Sequence, residues 1–298
     1  DITMNHVNCI PNEERGRILA SSADFMHFSG CKGQIKINNC RFEGAHDDPI
    51  NIHATNLRVI AKIDDKTLKL RFMHGQSYGF TAFHKGDEVA FIKASQMLRM
   101  DNIYTVDHVK KLSEREMLIS FTQPIPKDLE IGHDCLENMT YTPEVEIRNN
   151  YFTRTSTRGL LVTTPRKVVI ENNVFEKTGM SAILIESDAE GWFESGPVND
   201  VLIQNNTFID CAYQGGPGNA IIALNPSNSV VNPNQSVHRN IRIINNTFKT
   251  FDYPVLYAKS TQGILFQGNR IERTFTTDKL RGNKNVFYFN GCKDVVIE

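Results

Sequence analysis

One tryptophan, Trp192, stands among 298 residues, and no apolar run is long enough to cross a membrane as a helix. Neither sign of charge prevails. There are 33 basic and 34 acidic residues, a formal net charge of −1, and no basic stripe suggests a nucleic-acid partner. The six cysteines, Cys9, Cys31, Cys40, Cys135, Cys211 and Cys292, show no Cys-x-x-Cys or metal-ligand spacing. They read as buried free thiols. No leucine-rich or helical-repeat signature is present. Gly215-Gly216-Pro217-Gly218 lacks the strand–glycine–helix setting of a phosphate loop, so it reads as an ordinary loop.

What the chain does have is a repeat, apolar-x-apolar-x-Asn-Asn-x-Phe. It runs from Val145 to Phe152, Val168 to Phe175, Val201 to Phe208 and Ile241 to Phe248. Ile35 to Phe42 is a further copy, in which the pair Asn38-Asn39 directly follows the second apolar residue. Ile264 to Ile271 is a degenerate one with Gly268-Asn269. The alternation gives each unit a short strand with one buried face. Asn tolerates the left-handed backbone of a corner and can stack into an amide ladder between copies. The shortest step between copies is 23 residues, from Ile147 to Ile170. A second apolar pair keeps a fixed offset from the Phe: Ile50 and Ile52, Leu160 and Val162, Ile183 and Ile185. This register predicts an all-β fold, a right-handed parallel β-helix in which each coil buries its neighbour.

One step is too long. Ile37 and Ile147 stand 110 residues apart. The excess has alternating runs (Leu57 to Ile63, Thr67 to Phe72, Met117 to Phe121) separated by turn residues. It predicts a small antiparallel, barrel-like domain at 57–142, inserted into a helix of residues 1–56 and 143–298. The chain begins and ends inside repeat units, so a longer protein is the expectation.

The carboxylates carry the chemistry. Asp48 lies two residues before Ile50, and Asp24 two before Met26 in a similar run, so Asp24 should stack on Asp48 at about the 4.8 Å strand spacing. Adjacent Asp47 points elsewhere. Like charges that close drive their pKa values apart, and the same offset brings Arg158 to that face. Hydrolysis of a glycosidic bond uses two carboxyl groups, about 6.5–9.5 Å apart when the reaction inverts and about 5–5.5 Å when it retains. His27, Asn51 and His53 lie on the strands beside the aspartates as hydroxyl-binding candidates. Trp192 could stack on a sugar's apolar face, with Glu194 accepting from its hydroxyls.

Asp24 through Gly33, the strand His46-Asp47-Asp48-Pro49-Ile50-Asn51-Ile52-His53, Arg158 to Thr164, and Ile183 to Val198 with Glu186 resemble glycoside hydrolase family 110. The chain departs from that pattern at His46 and Pro49. The resemblance implies an inverting exo-α-galactosidase on a β-helix with barrel insertions, cleaving terminal α-1,3-linked galactose such as the blood-group B determinant. It implies Asp24, Asp47 and Asp48 as catalytic residues, no metal and no cofactor. Its expected partner is a galactose-terminated glycan, its location periplasmic or extracellular, and a homodimer is compatible with it. Polygalacturonase-like hydrolysis, Ca²⁺-dependent pectate-lyase-like cleavage and a non-catalytic carbohydrate-binding solenoid are the alternatives.

Overall fold

The repeat units become coils. The computed structural model describes residues 1–252, 254–276 and 285–298. Its first apolar pairs form an 8-stranded parallel sheet from Ile2–Asn5 to Lys293–Ile297. The segments around each Phe form a 7-stranded sheet. Five strands position the site on the third sheet: β1 (Met26–Ser29), β2 (Ile50–Lys62), β3 (Leu160–Val162), β4 (Ile183–Ile185) and β5 (Glu194–Ser195). The first four are parallel neighbours in that order, and β5 pairs with β2 in the antiparallel sense.

Corners and core explain why this sequence coils. The first Asn of each pair sits in the left-handed region, Asn149, Asn172, Asn205 and Asn245 all at φ between 55° and 57°, and Gly268 takes the same place at 63°. The second Asn forms the ladder: Asn150, Asn173, Asn206 and Asn246 each donate Nδ2–H to Oδ1 of the next, ending on Asn269, all at 3.0 Å. The early copy is offset by one from its sequence reading. Ile37 pairs with Ile147, so Asn39, at φ 56°, takes the corner and Cys40 stands where the ladder Asn belongs. Beneath the corner, Phe42, Phe152, Phe175, Phe208 and Phe248 are fully buried and stack at 4.6–5.2 Å between ring centroids. Each such side chain contributes about 1.5–3 kcal/mol by burial alone.

The inserted segment leaves the coil register unbroken, because Ile35 and Ile37 pair directly with Val145 and Ile147. Strand β2 serves both parts. Its first residues pair with β1 and β3, and its later ones with the antiparallel strands Thr67–Arg71 and Cys135–Asn138. Those strands continue through Glu116–Phe121, Leu98–Lys111 and Glu88–Lys93 back to Cys135–Asn138. Six strands thus close into a barrel, which removes free edges. Its interior is a second core built on Leu57, Val59, Leu70, Phe91, Ile119 and Phe121. All six cysteines are free, as expected, but only Cys40, Cys135 and Cys211 are buried; Cys9, Cys31 and Cys292 are partly exposed.

Candidate active site

Register brings the aspartates together. His27 pairs with Asn51 and Met26 with Ile50, so Asp24 and Asp48 face each other on neighbouring coils. The Asp48 amide donates to Asp24 Oδ1 at 3.2 Å. One carboxylate oxygen from each of Asp24, Asp47 and Asp48 lies within 4.8 Å of the other two. They line a cavity of about 350 Å³ with His27, Asn51, Arg158, Glu186, Trp192 and Glu194. Of the residues expected at the site, His53 alone does not line the cavity; it is buried behind His27.

Two of the three carboxylates face the guanidinium of Arg158. Its Nε and Nη2 donate to both oxygens of Asp48 at 2.6–3.0 Å, and Nη2 lies 3.5 Å from Asp47. The Thr157 hydroxyl adds a bond to Asp48 at 3.1 Å. Burial pushes the Asp48 carboxyl up, and Arg158 pulls against it; Asp48 in turn holds the guanidinium above its usual range despite burial. The geometry favours the ion pair, since four charge-assisted hydrogen bonds meet a carboxylate that has no solvent of its own. Asp47 is the exposed member.

Across the cavity two more acids differ in kind. Burial pushes both Glu186 and Glu194 up to about 7, with Asp188 adding to the effect on Glu186. Glu194 accepts from Asn51 Nδ2 at 3.3 Å, and pairing of Glu194 with Thr55 fixes its backbone. The loop before it is shaped by Asp188, whose carboxylate accepts the amides of Glu190, Gly191 and Phe193. That loop carries Trp192, half-exposed and 4.0 Å from the His74 ring of the barrel.

Gln76 and Ser77, from the same barrel loop, also line the cavity, as do Ala23 and Leu161. Sequence reasoning missed all four. Leu161 lay inside a quoted motif, but nothing marked the Gly75-Gln76-Ser77 turn, whose place depends on how the barrel closes.

Two groups have the composition of a cation site among the described residues: the three aspartates, and His27 with His53 and Glu194. Both are already engaged in contacts within the protein. Both oxygens of Asp48 are already held by Arg158. The two histidine Nε2 atoms are 2.6 Å apart, whereas two nitrogens on one tetrahedral zinc stand roughly 3.3 Å apart.

The comparisons with known proteins agree with this architecture. The GLAA-B beta-barrel domain II family matches residues 67–136, and the right-handed beta helix region family matches residues 136–298. A protein of Bacteroides fragilis strain YCH46 named alpha-1,3-galactosidase A is 65% identical over all of this chain and 49% of its own length. Proteins of the same name from Bacteroides thetaiotaomicron and Streptomyces avermitilis are 40% and 38% identical, each over 100% of this chain and 51% and 48% of their own. The chain thus spans about half the length of the curated relatives it matches. Among solved structures, a Pseudomonas phage phi297 tailspike covers 81% of this chain and 47% of its own at 11% identity and a TM-score of 0.25, too distant to bear on function. By the family match over residues 136–298, more than half of its length, the chain belongs to the right-handed beta helix region family.

Proposed function

We propose that the protein is an α-galactosidase that removes terminal α-1,3-linked galactose from glycans, blood-group B-type structures among them, with inversion at the anomeric carbon. The observation that carries this reading is the cluster of Asp24, Asp47 and Asp48 beside Arg158 in one cavity. Its size, about 350 Å³, is at the low end for ligand pockets, as a single terminal sugar requires. Hydrolysis needs one ionised carboxylate to activate water and one protonated carboxyl to release the leaving oxygen. Asp48, ion-paired with Arg158, supplies an ionised group, and Glu186 and Glu194, raised to about 7, supply neutral ones. The relatives' names provide the galactose and the α-1,3 linkage.

The spacing sets the test. One oxygen of each aspartate lies within 4.8 Å of one oxygen of the other two, against about 6.5–9.5 Å between the carboxyl groups of an inverting pair, so this reading draws the donor or the base from outside the closest contacts or has the substrate spread them. Early-time NMR on the full-length protein with p-nitrophenyl α-galactoside and with B-type oligosaccharides should give β-galactose first, unaffected by chelator. An initial α-anomer would assign a covalent intermediate to the close aspartates. Faster cleavage of α-1,4- or α-1,6-linked galactosides would overturn the linkage.

A further inference from the structure

His53 is buried at 3% exposure, yet its ring is fully engaged. Nδ1 lies 2.6 Å from the Ala54 carbonyl oxygen, which can only accept. Nδ1 therefore carries the proton, and Nε2 presents a lone pair. Burial pushes this ring down to about 4, so it stays neutral at neutral pH. The lone pair faces Nε2 of His27 at 2.6 Å, and the proton between them belongs to His27. Glu194 Oε1 approaches the same lone pair only to 3.3 Å, so the shorter contact takes it. On its far side His27 turns Nδ1 to Asp24 Oδ2 at 2.9 Å.

Two proton arrangements fit these contacts: a doubly protonated His27 against an ionised Asp24, or a neutral His27 accepting from a protonated Asp24. The surroundings select the first. The groups that face His27 are Asp24 from its own turn, Asp48 from the next coil, Glu194 from β5 and His53 from β2. The hydrogen bond that His27 donates to Asp24, opposed by burial and aided by the nearby carboxylates, lifts His27 above its ordinary range. Asp24 itself faces Asp47 and Asp48, which Arg158 partly neutralises.

We propose that His27 and His53 are positioning residues for Asp24: Ala54 fixes the His53 tautomer, His53 holds the Nε2 proton of His27, and His27 presents Nδ1–H to Asp24, so that Asp24 enters the reaction ionised. Asp24 is then a base or charge stabiliser, and the proton for the leaving oxygen comes from another carboxyl. The use made of Asp24 rests on the hydrolase reading above; the charge it carries does not.

Ring-nitrogen NMR of the full-length protein from about pH 5 to 8 reads the charge directly. His53 should keep its proton on Nδ1 throughout, and His27 should carry both protons at neutral pH. Asp24→Asn should lower the His27 midpoint by about 1–3 units. His53→Leu should lower it too, and His53→Gln, whose amide oxygen can accept the same proton, should restore it. In kinetics, His27→Gln should move the acidic limb of kcat/KM to higher pH with KM little changed, because Asp24 loses its cation. A proton on His53 Nε2, a neutral His27 at neutral pH, an unmoved acidic limb, or stoichiometric zinc perturbing both rings would each overturn the proposal. If the wild type leaves p-nitrophenyl α-galactoside uncleaved, the hydrolase reading falls, while the NMR result still decides this one.

Discussion

Asp48 is the residue on which the charge arrangement of the site turns, since it is fully buried and tied to one guanidinium. Arg158→Ala would strand that carboxylate, and breaking a buried pair from one side costs about 3–5 kcal/mol. Arg158→Lys should recover little of it, because a point charge cannot replace the two-pronged contact; thermal unfolding checks both. In turnover, Asp24→Asn, Asp47→Asn and Asp48→Asn should each lose about 10²–10⁴-fold with the fold intact by circular dichroism, and a variant that keeps wild-type turnover leaves the catalytic set. The glutamates predict a pH effect of definite sign. Glu194 is raised from 4.5 to about 7, so the folded state binds more protons than the unfolded chain across that window. Its contribution is full below the unfolded value and is lost as pH climbs towards 7. Glu194→Gln should therefore gain stability relative to wild type at about pH 8 compared with about pH 5, by a few kcal/mol at most. His53, pushed down to about 4, works in the other direction at lower pH. Asp24, Asp48 and Arg158 were legible in the sequence because each keeps the same offset from its coil's apolar pair. The protonation of His27 was not, because it depends on a contact between ring edges that no spacing encodes.

At the scale of the element, the corner and the rung divide the work of the paired asparagines. The first supplies a left-handed turn, and the second closes hydrogen bonds on both sides. Asn206 shows how much rests on one side chain: it donates to Ile170 O and Asn246 Oδ1, and its Oδ1 accepts the backbone and side-chain amides of Asn173. Asn206→Ala would leave a buried backbone amide unpartnered, at about 1–3 kcal/mol for that group alone. Phe175→Ala, in the middle of the ring stack, should cost about 3–5 kcal/mol in denaturant unfolding. Gly159 is fixed by close approach, not by its turn: a Cβ there would come within 2.5 Å of the Ala182 carbonyl oxygen and 2.8 Å of the Phe175 ring. The repeat was readable because period and corner residue agree over many coils. The slip at Asn38-Asn39 came from Cys40, which fills a rung position without resembling one. Gln76 and Ser77 were unreadable for the opposite reason, since a barrel loop has no repeat to place it.

For the whole molecule, the shared strand β2 matters most. It carries Asn51 and His53 at one end and the barrel wall at Leu57 and Val59 at the other. Val59→Asp should therefore open the barrel core and lower activity while the coil stack persists, seen as retained β-sheet circular dichroism with loss of turnover; full activity with an unfolded barrel would separate the two. The rungs of the solenoid carry a different consequence. In each rung from Asn173 to Asn246, Oδ1 accepts the backbone and side-chain amides of the Asn one coil before, while Nδ2 donates both to Oδ1 of the Asn one coil after and to a carbonyl of the coil before. A cut between any two of these coils would thus expose unlike faces, a backbone and a side-chain amide with a free carbonyl on one, and a rung Oδ1 with an Nδ2–H on the other, each the complement of the other and not of itself. Such pieces can rejoin only head to tail, like segments of a magnetised rod, and never in mirror fashion. Any assembly built by docking coil on coil would inherit that polarity and run in a single direction, an open arrangement without closure.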